Sequence, residues 1–216
     1  MSLPTFPSGG NSIPVEVFPP VGTPNGGLVV IAHGSDGMVA PWAGMIQDYA
    51  KALAAKQFTA IIPYYFGQAT PPLPPPALFA LIPSFHKVLS DAIAFGKTLP
   101  AVNAARVGLL GFSLGGNLCL RLRGPAKVVV SYFAPNMTLG GIGPPAATHP
   151  VFVQLHHGEN DKISQAESIY HQLKGEHTAT ELHTYVEATH GFGGPGDASA
   201  RVQSKSLTLD FLQARL

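Results

Sequence analysis

Short apolar segments alternate along the chain with longer segments of helical spacing, and this alternation constrains the fold more than any other feature. Six segments predict strands, at residues 28–32, 59–62, 107–110, 127–133, 151–155 and 181–186, and the first two of these are predicted to be buried. Five further segments predict helices, at residues 50–56, 84–97, 114–122, 163–173 and 198–215. Apolar strands separated by helices indicate βαβ units. We therefore predict an α/β fold with a mostly parallel, twisted sheet covered by helices on both faces.

The length of 216 residues fits one domain, which we place at residues 12–216. Within it, Ile13–Val17 fits an antiparallel edge strand and makes about seven strands in all. Residues 1–11 contain two prolines and two glycines but no apolar run, so we predict a flexible arm and not a signal peptide. Two loop-rich stretches, at residues 67–76 and 135–150, interrupt the alternation. The first is compatible with a polyproline ligand, but we favour a stiff loop beside a pocket.

Charge and composition exclude several classes of function. Lys and Arg number 13 against 12 Asp and Glu, and 45% of residues are hydrophobic while 12% are charged. That composition excludes intrinsic disorder, and a net charge of +1 argues against a nucleic-acid partner. No uninterrupted apolar run approaches the ~18 residues of a membrane span. We therefore expect a soluble, cytoplasmic monomer or homodimer that binds a small molecule and no membrane.

The sequence Gly111-Phe112-Ser113-Leu114-Gly115 lies between a predicted strand and a predicted helix. This G-x-S-x-G pattern is typical of a nucleophile elbow, where a sharp turn exposes a serine hydroxyl. Small residues are required two positions before and after the serine because larger side chains would collide with the neighbouring backbone. The alternative is a glycine-rich turn whose serine caps the helix.

A serine needs a base, and His190 is the best placed of nine histidines. It follows a predicted strand and precedes the glycine-rich segment Gly191–Gly194. Asp161 is the only aspartate between Ser113 and His190, and it also follows a strand. We predict that Asp161 orients the imidazole, with Glu159 as the fallback; the alternative role of Asp161 is a helix cap.

Other polar residues receive lesser roles. His156 and His157 are adjacent on a strand, so they point to opposite faces and cannot bind one metal together; one of them is expected to be structural. Cys119 lies in a predicted apolar helix, so we expect it to be a small buried hydrophobic residue. Because it is a single cysteine, it allows no internal disulfide.

A second loop and several aromatic residues complete the predicted site. The segment His33–Gly37 follows the strand that ends at Ala32, and its Ser35 N–H could stabilise an oxyanion together with the N–H of Leu114. Candidate residues of the pocket wall are aromatic: Trp42, Tyr64, Tyr65, Phe66 and Phe192. The sequence contains no metal-ligand cluster, phosphate-binding loop or dinucleotide fingerprint, so we predict no cofactor and no metal.

Together these motifs resemble the α/β-hydrolase superfamily and, within it, the dienelactone hydrolase family. The resemblance extends from Val29 to about Leu212 and includes the His33–Gly34 loop, the Ser113 elbow, the Asp161 turn and His190-Gly191-Phe192. It implies an α/β-hydrolase fold without a lid domain, and a triad of nucleophile, acid and histidine.

The chain departs from the founding members of that family at three positions. They have a cysteine where this chain has Ser113, and a glutamate where it has Gly34. Enzymes of the family that bind an anionic lactone have an arginine soon after the catalytic histidine, whereas the nearest arginine here is Arg201. These differences favour a serine esterase or lactonase that acts on a neutral substrate. The alternatives are a non-catalytic binder of small ligands and an acyltransferase that uses the same triad.

Overall fold

The computed structural model describes residues 2–67, 69–136, 150–176, 178–194 and 197–216. These residues form two compact units, Met1–Val107 and Gly108–Leu216. The prediction of a single domain over residues 12–216 stays a prediction. The described part contains eight strands, one more than the approximate number expected from the sequence.

The first unit contains four strands and two helices. The strands are β1 (Thr5–Ser8), β2 (Asn11–Phe18), β3 (Leu28–Ala32) and β4 (Thr59–Pro63). They lie in the order β1-β2-β4-β3; β1 pairs with β2 and β2 with β4 in antiparallel fashion, whereas β3 and β4 are parallel. The helices are α1 (Trp42–Ala55) and α2 (Pro75–Gly96). The antiparallel strand expected near Ile13–Val17 is therefore present as β2.

The expected flexible arm over residues 1–11 is corrected by the structure, because Thr5–Ser8 forms β1. Gly9 and Gly10 connect β1 to β2 and have φ angles of +55° and +81°. A two-residue connection with positive φ at both positions is a favoured hairpin turn, and two glycines supply it without strain. Phe6 anchors the strand, since it is 1% exposed and its ring stacks on Phe95. The glycine pair thus marks a hairpin and not a frayed end.

Helix α2 begins at Pro75, nine residues before the predicted start at Ser84. Proline at the first helical positions loses no hydrogen bond, because the first N–H groups of a helix have no intrahelical acceptor. Residues 75–83 are all apolar, so this part of the helix lacks the periodic alternation of apolar and polar residues that predicts helices. Among the described helices, α2 alone has the length and composition to cross a membrane, with a mean hydropathy of 1.4.

The second unit contains four parallel strands with helices between them. The strands are β5 (Val107–Phe112), β6 (Val128–Tyr132), β7 (Phe152–Gly158) and β8 (Ala179–Tyr185), and they lie side by side in that order. The helices are α3 (Leu114–Arg121), α4 (Ile163–Gly175) and α5 (Ala198–Arg215), with a short 3₁₀ turn at His190–Phe192. Residues 137–149 of the predicted loop 135–150 lie outside the described residues.

The carboxyl ends of these parallel strands meet at one edge of the sheet. Ser113 directly follows β5, two residues separate the end of β7 from Asp161, and four separate the end of β8 from His190. Residues that are distant in sequence therefore come together where the strands end, as is usual for sites on α/β sheets.

Candidate active site

Ser113 connects β5 to α3 with a strained backbone. Its φ and ψ angles are 52° and −118°, a region that side-chain-bearing residues rarely adopt. A Cβ on Gly111 would lie 2.3 Å from the carbonyl oxygen of Gly115, so the turn is too tight for any other residue there. The Ser113 N–H donates to the Tyr132 carbonyl at 2.9 Å, which fixes the turn to β6. Ser113 is the N-cap residue of α3, but its side chain makes no capping hydrogen bond.

The turn that contains Asp161 is attached to the segment that follows β8. The Glu159 and Asn160 N–H groups each donate over 3.0 Å, to the carbonyl oxygens of Tyr185 and Ala188. A Cβ on Gly158 would lie 2.2 Å from the Ala188 carbonyl oxygen, so only glycine permits this approach. The acid turn and the histidine loop are thus held against each other through their backbones.

The side chains of the three predicted residues form a continuous hydrogen-bonded chain. His190 Nδ1 lies 2.7 Å from Asp161 Oδ2, and His190 Nε2 lies 3.1 Å from Ser113 Oγ. Because a carboxylate accepts hydrogen bonds, Nδ1 carries the proton, which leaves Nε2 free to accept the serine proton. Asp161 is 13% exposed while His190 is 51% exposed, so the carboxylate is shielded and the imidazole is accessible. The alternative of Asp161 as a helix cap is not observed, since Lys162 is the N-cap residue of α4.

Asp197 holds the loop that carries His190. Its Oδ2 accepts hydrogen bonds from the Thr189 hydroxyl and the Gly194 N–H, both at 2.7 Å, and so bridges the two ends of the loop. Arg201 donates to the Phe192 carbonyl within the same loop. Burial opposes ionisation of Asp197, but the hydrogen bonds from Thr189 and Gly194 outweigh it and lower the pKa of the carboxyl.

Replacing Asp197 by alanine is expected to destabilise this loop in a pH-dependent way. The variant leaves the Thr189 and Gly194 donors unpaired, so we expect the free energy of unfolding to fall by about 1.5–3 kcal/mol at pH 7. Because the folded pKa lies below the ordinary value of about 3.9, the contribution is complete above that pH and is lost as pH falls through the folded pKa. Urea titrations at pH 7 and in steps below pH 4 measure the difference, with Asp210→Ala on the exposed face of α5 as the control. An unchanged difference across that pH range would contradict the assignment.

The predicted aromatic wall divides into buried and half-exposed residues. Tyr65 and Phe192 are 0% and 2% exposed, so they are core residues and the prediction that they contact substrate is corrected. Phe66 is also buried, at 8%. In the first unit, Tyr64 is half-buried and Trp42, the first residue of α1, is likewise half-buried. For these two residues a role in substrate binding stays a prediction.

The buried aromatic residues have local partners that explain their positions. The Tyr65 hydroxyl donates to the His33 carbonyl at 2.7 Å, and the two rings stack. Phe192 packs edge-on against Tyr132, Phe133 and Tyr185 in the second unit. Aromatic residues near a strand end are as readily core as pocket, because sequence does not reveal which way a loop residue turns.

The two predicted oxyanion donors lie in different units. Leu114 is the first residue of α3, so its N–H belongs to the helical turn whose N–H groups lack intrahelical acceptors. Ser35 is half-buried in the turn after β3, and its role stays a prediction. Beside it, burial lowers the pKa of His33 to about 4, against the effect of the Gly34 carbonyl, so that this imidazole is neutral near pH 7.

The remaining candidates occupy buried positions. His156 is held by the Tyr185 hydroxyl at 2.7 Å and by Gln154 at 2.9 Å, and burial lowers its pKa, as does His183. His157 bonds instead to the Asp161 carbonyl, so the two neighbouring histidines have different partners, as their alternation predicts. Burial raises the pKa of the Cys119 thiol, which keeps it protonated and unreactive.

Sequence reasoning missed two residues that bond to the segments carrying Asp161 and His190. Asp197 and His157 were not assigned to the site, although Asp197 immediately precedes a predicted helix, the position of an N-cap. The available signal was Gly158, because a glycine soon after a predicted strand is typical of a position that another backbone segment approaches closely.

A strained serine turn, a carboxylate and an imidazole at the ends of parallel strands define an α/β hydrolase. The family model for the dienelactone hydrolase family matches residues 15–215. The chain belongs to the dienelactone hydrolase family and is a hydrolase, as the sequence motifs predicted. A search of the curated proteins finds no match.

Solved structures agree with the predicted fold. The putative dienelactone hydrolase from Klebsiella pneumoniae superposes with a TM-score of 0.77 at 18% identity, covering 98% of this chain and 97% of the other. A dienelactone hydrolase-like promiscuous phosphotriesterase, P91, from metagenomic libraries gives 0.76 at 19% identity, with 98% and 96% covered. The acylaminoacyl peptidase of Pyrococcus horikoshii gives 0.75 at 16% identity, and the match covers 98% of this chain but 41% of the peptidase. The α/β-hydrolase fold is thereby confirmed.

Proposed function

We propose that this protein is a serine hydrolase that cleaves small carboxylic esters or lactones through an acyl-enzyme on Ser113. The observation that carries the proposal is the 3.1 Å separation of Ser113 Oγ and His190 Nε2, with Nδ1 of the same ring bonded to Asp161. This arrangement lets the imidazole remove the serine proton as the hydroxyl attacks a carbonyl carbon.

The reaction proceeds in two halves. In the first, Ser113 Oγ forms a bond to the carbonyl carbon, His190 takes the proton, and the resulting imidazolium is stabilised by Asp161. The Leu114 N–H stabilises the oxyanion, and the imidazolium then protonates the leaving alcohol as the ester bond breaks. In the second half, His190 takes a proton from water as its oxygen attacks the acyl carbon. The bond between that carbon and Ser113 Oγ then breaks, the carboxylic acid leaves, and the His190 imidazolium returns the proton to Oγ.

The proposal favours neutral esters and lactones for a chemical reason. An anionic substrate needs a cation nearby, and Arg201, the arginine nearest to His190 in sequence, donates to the Phe192 carbonyl instead. The binder and the acyltransferase remain as alternatives, and neither is favoured by a specific contact. The substrate panel includes short p-nitrophenyl esters, lactones and, because the neighbour P91 is described as a promiscuous phosphotriesterase, a phosphotriester.

Covalent labelling with a fluorophosphonate tests the nucleophile directly. We expect one equivalent of label per chain, mapped to the peptide that contains Ser113, because an activated serine attacks the phosphorus and is then trapped. Prior denaturation should abolish the labelling, since His190 lies beside the Ser113 hydroxyl only in the folded chain. Label on another residue, or none with no ester turnover, would remove the proposal and favour a non-catalytic binder. Product analysis with added alcohols distinguishes hydrolysis from acyl transfer.

A further inference from the structure

A second histidine, His157, contacts Asp161 in addition to His190. It lies one residue before the end of β7, and its side chain is 4% exposed. Its Nε2 bonds to the Asp161 carbonyl oxygen and lies 3.6 Å from Asp161 Oδ2. That same Oδ2 accepts the hydrogen bond from His190 Nδ1 at 2.7 Å. One imidazole therefore fixes the residue that the other imidazole depends on.

The bonding partner determines the protonation of the His157 ring. A carbonyl oxygen can only accept, so Nε2 carries the proton and donates it. Burial lowers the pKa of His157, the Asp161 carbonyl and carboxylate raise it, and His190 lowers it; the net shift is downward. The ring is therefore neutral near pH 7. A neutral donor holds the Asp161 backbone without adding a positive charge that would compete with the His190 imidazolium for the carboxylate.

We propose that His157 is a positioning residue: its Nε2–H holds the Asp161 backbone so that Oδ2 meets His190 Nδ1. The inference rests on the proposed function, because it matters only where His190 acts as the base. The contact lies at the point where the chain leaves β7 and turns toward Asp161. Without the His157 donor, the backbone carbonyl of Asp161 is no longer held. The Asp161 carboxylate can then shift, and a shift of a fraction of an ångström orients the His190 imidazole less well.

Two substitutions separate the hydrogen-bond donor of His157 from its packing. His157→Phe keeps an aromatic ring of similar shape and removes the N–H. His157→Gln places an amide N–H at nearly the position of Nε2 and so restores the donor.

Steady-state kinetics on a p-nitrophenyl ester compare the wild type, His157→Phe and His157→Gln. We expect His157→Phe to lower kcat by about 10- to 100-fold with KM within about threefold, because orientation of the base is impaired and substrate contacts are not. His157→Gln should recover kcat to within about fivefold of the wild type. The rate of fluorophosphonate labelling should follow kcat. His171→Phe, at an exposed position on α4, is the control for the substitution itself.

Two results would overturn the inference while leaving the proposed function in place. One is wild-type kcat in a folded His157→Phe variant, and the other is an equal loss in His157→Phe and His157→Gln, which indicates packing alone. Should His157→Phe fail to fold by urea titration, His157→Met replaces it as an apolar variant without a donor. Absence of wild-type labelling at Ser113 would instead remove the proposed function and this inference with it.

Discussion

Ser113→Ala is expected to abolish ester hydrolysis, with kcat/KM falling by about 10⁴- to 10⁶-fold. The reason is that an alanine cannot form the acyl-enzyme, and the hydrogen-bonded imidazole then has no nucleophile to activate. The turn itself should survive. The strain of the Ser113 backbone is imposed by the close approach of Gly111 and Gly115, and alanine tolerates the same φ and ψ no worse than serine.

The comparison with folded controls makes this result specific. Ser206→Ala removes a hydroxyl from an exposed position of α5 and should leave kcat/KM within about twofold. Urea titration of Ser113→Ala should give a stability close to that of the wild type, because alanine keeps the same backbone strain and loses only the hydrogen bond between Ser113 Oγ and the half-exposed His190. If Ser113→Ala retained a substantial fraction of activity, the nucleophile would have to be another group.

The sequence predicted that Ser113, Asp161 and His190 lie close together because the logic of that prediction is topological. Parallel strands bring their carboxyl ends to one edge, so the polar residues after β5, β7 and β8 had to lie close together. The glycines two residues before and after Ser113, and the single aspartate between Ser113 and His190, then left few choices for the nucleophile and the acid. The separation of 3.1 Å between Ser113 Oγ and His190 Nε2 agrees with that reasoning.

The supporting residues could not be predicted in the same way. Whether Asp197 bonds to Thr189 and Gly194, or to solvent, depends on how a glycine-rich loop folds over the start of α5. His157 looked like an ordinary strand histidine because its partner is a backbone carbonyl, and every residue has one. Hydrogen bonds between a side chain and distant backbone leave no periodic pattern in the sequence.

The same limit explains the two errors in the first unit. The β1 strand has four residues, too few to display an alternating pattern, and its Gly9-Gly10 turn resembles a frayed end in composition. The first nine residues of α2 are apolar on all sides and include Pro75, Pro76 and Pro83, so no amphipathic periodicity indicated a helix and the prolines argued against one. In both cases the local sequence pattern was absent. The β1 strand forms by pairing with β2, and residues 75–83 extend the helix that the sequence predicts from Ser84.

Asp161→Asn should reduce kcat by about 10⁴-fold while leaving the fold intact. The Asp161 carboxylate can only accept a hydrogen bond, so it keeps the ring proton of His190 on Nδ1. It also stabilises the imidazolium that forms when His190 takes the serine proton. An asparagine can present its amide N–H to Nδ1 instead, which places the ring proton on Nε2, the nitrogen that must accept from Ser113. The loss should therefore appear in kcat, with KM changed little, and labelling by a fluorophosphonate should slow in parallel.

Glu159→Gln is the matched control, because Glu159 is two residues away on the same turn and is exposed. The substitution makes the same change from carboxylate to amide, and the sequence offers Glu159 as the alternative acid. We expect its kcat to stay within about twofold of the wild type. A large loss in Glu159→Gln with a small one in Asp161→Asn would transfer the role to Glu159. Comparable small losses in both would mean that His190 acts without an acid partner.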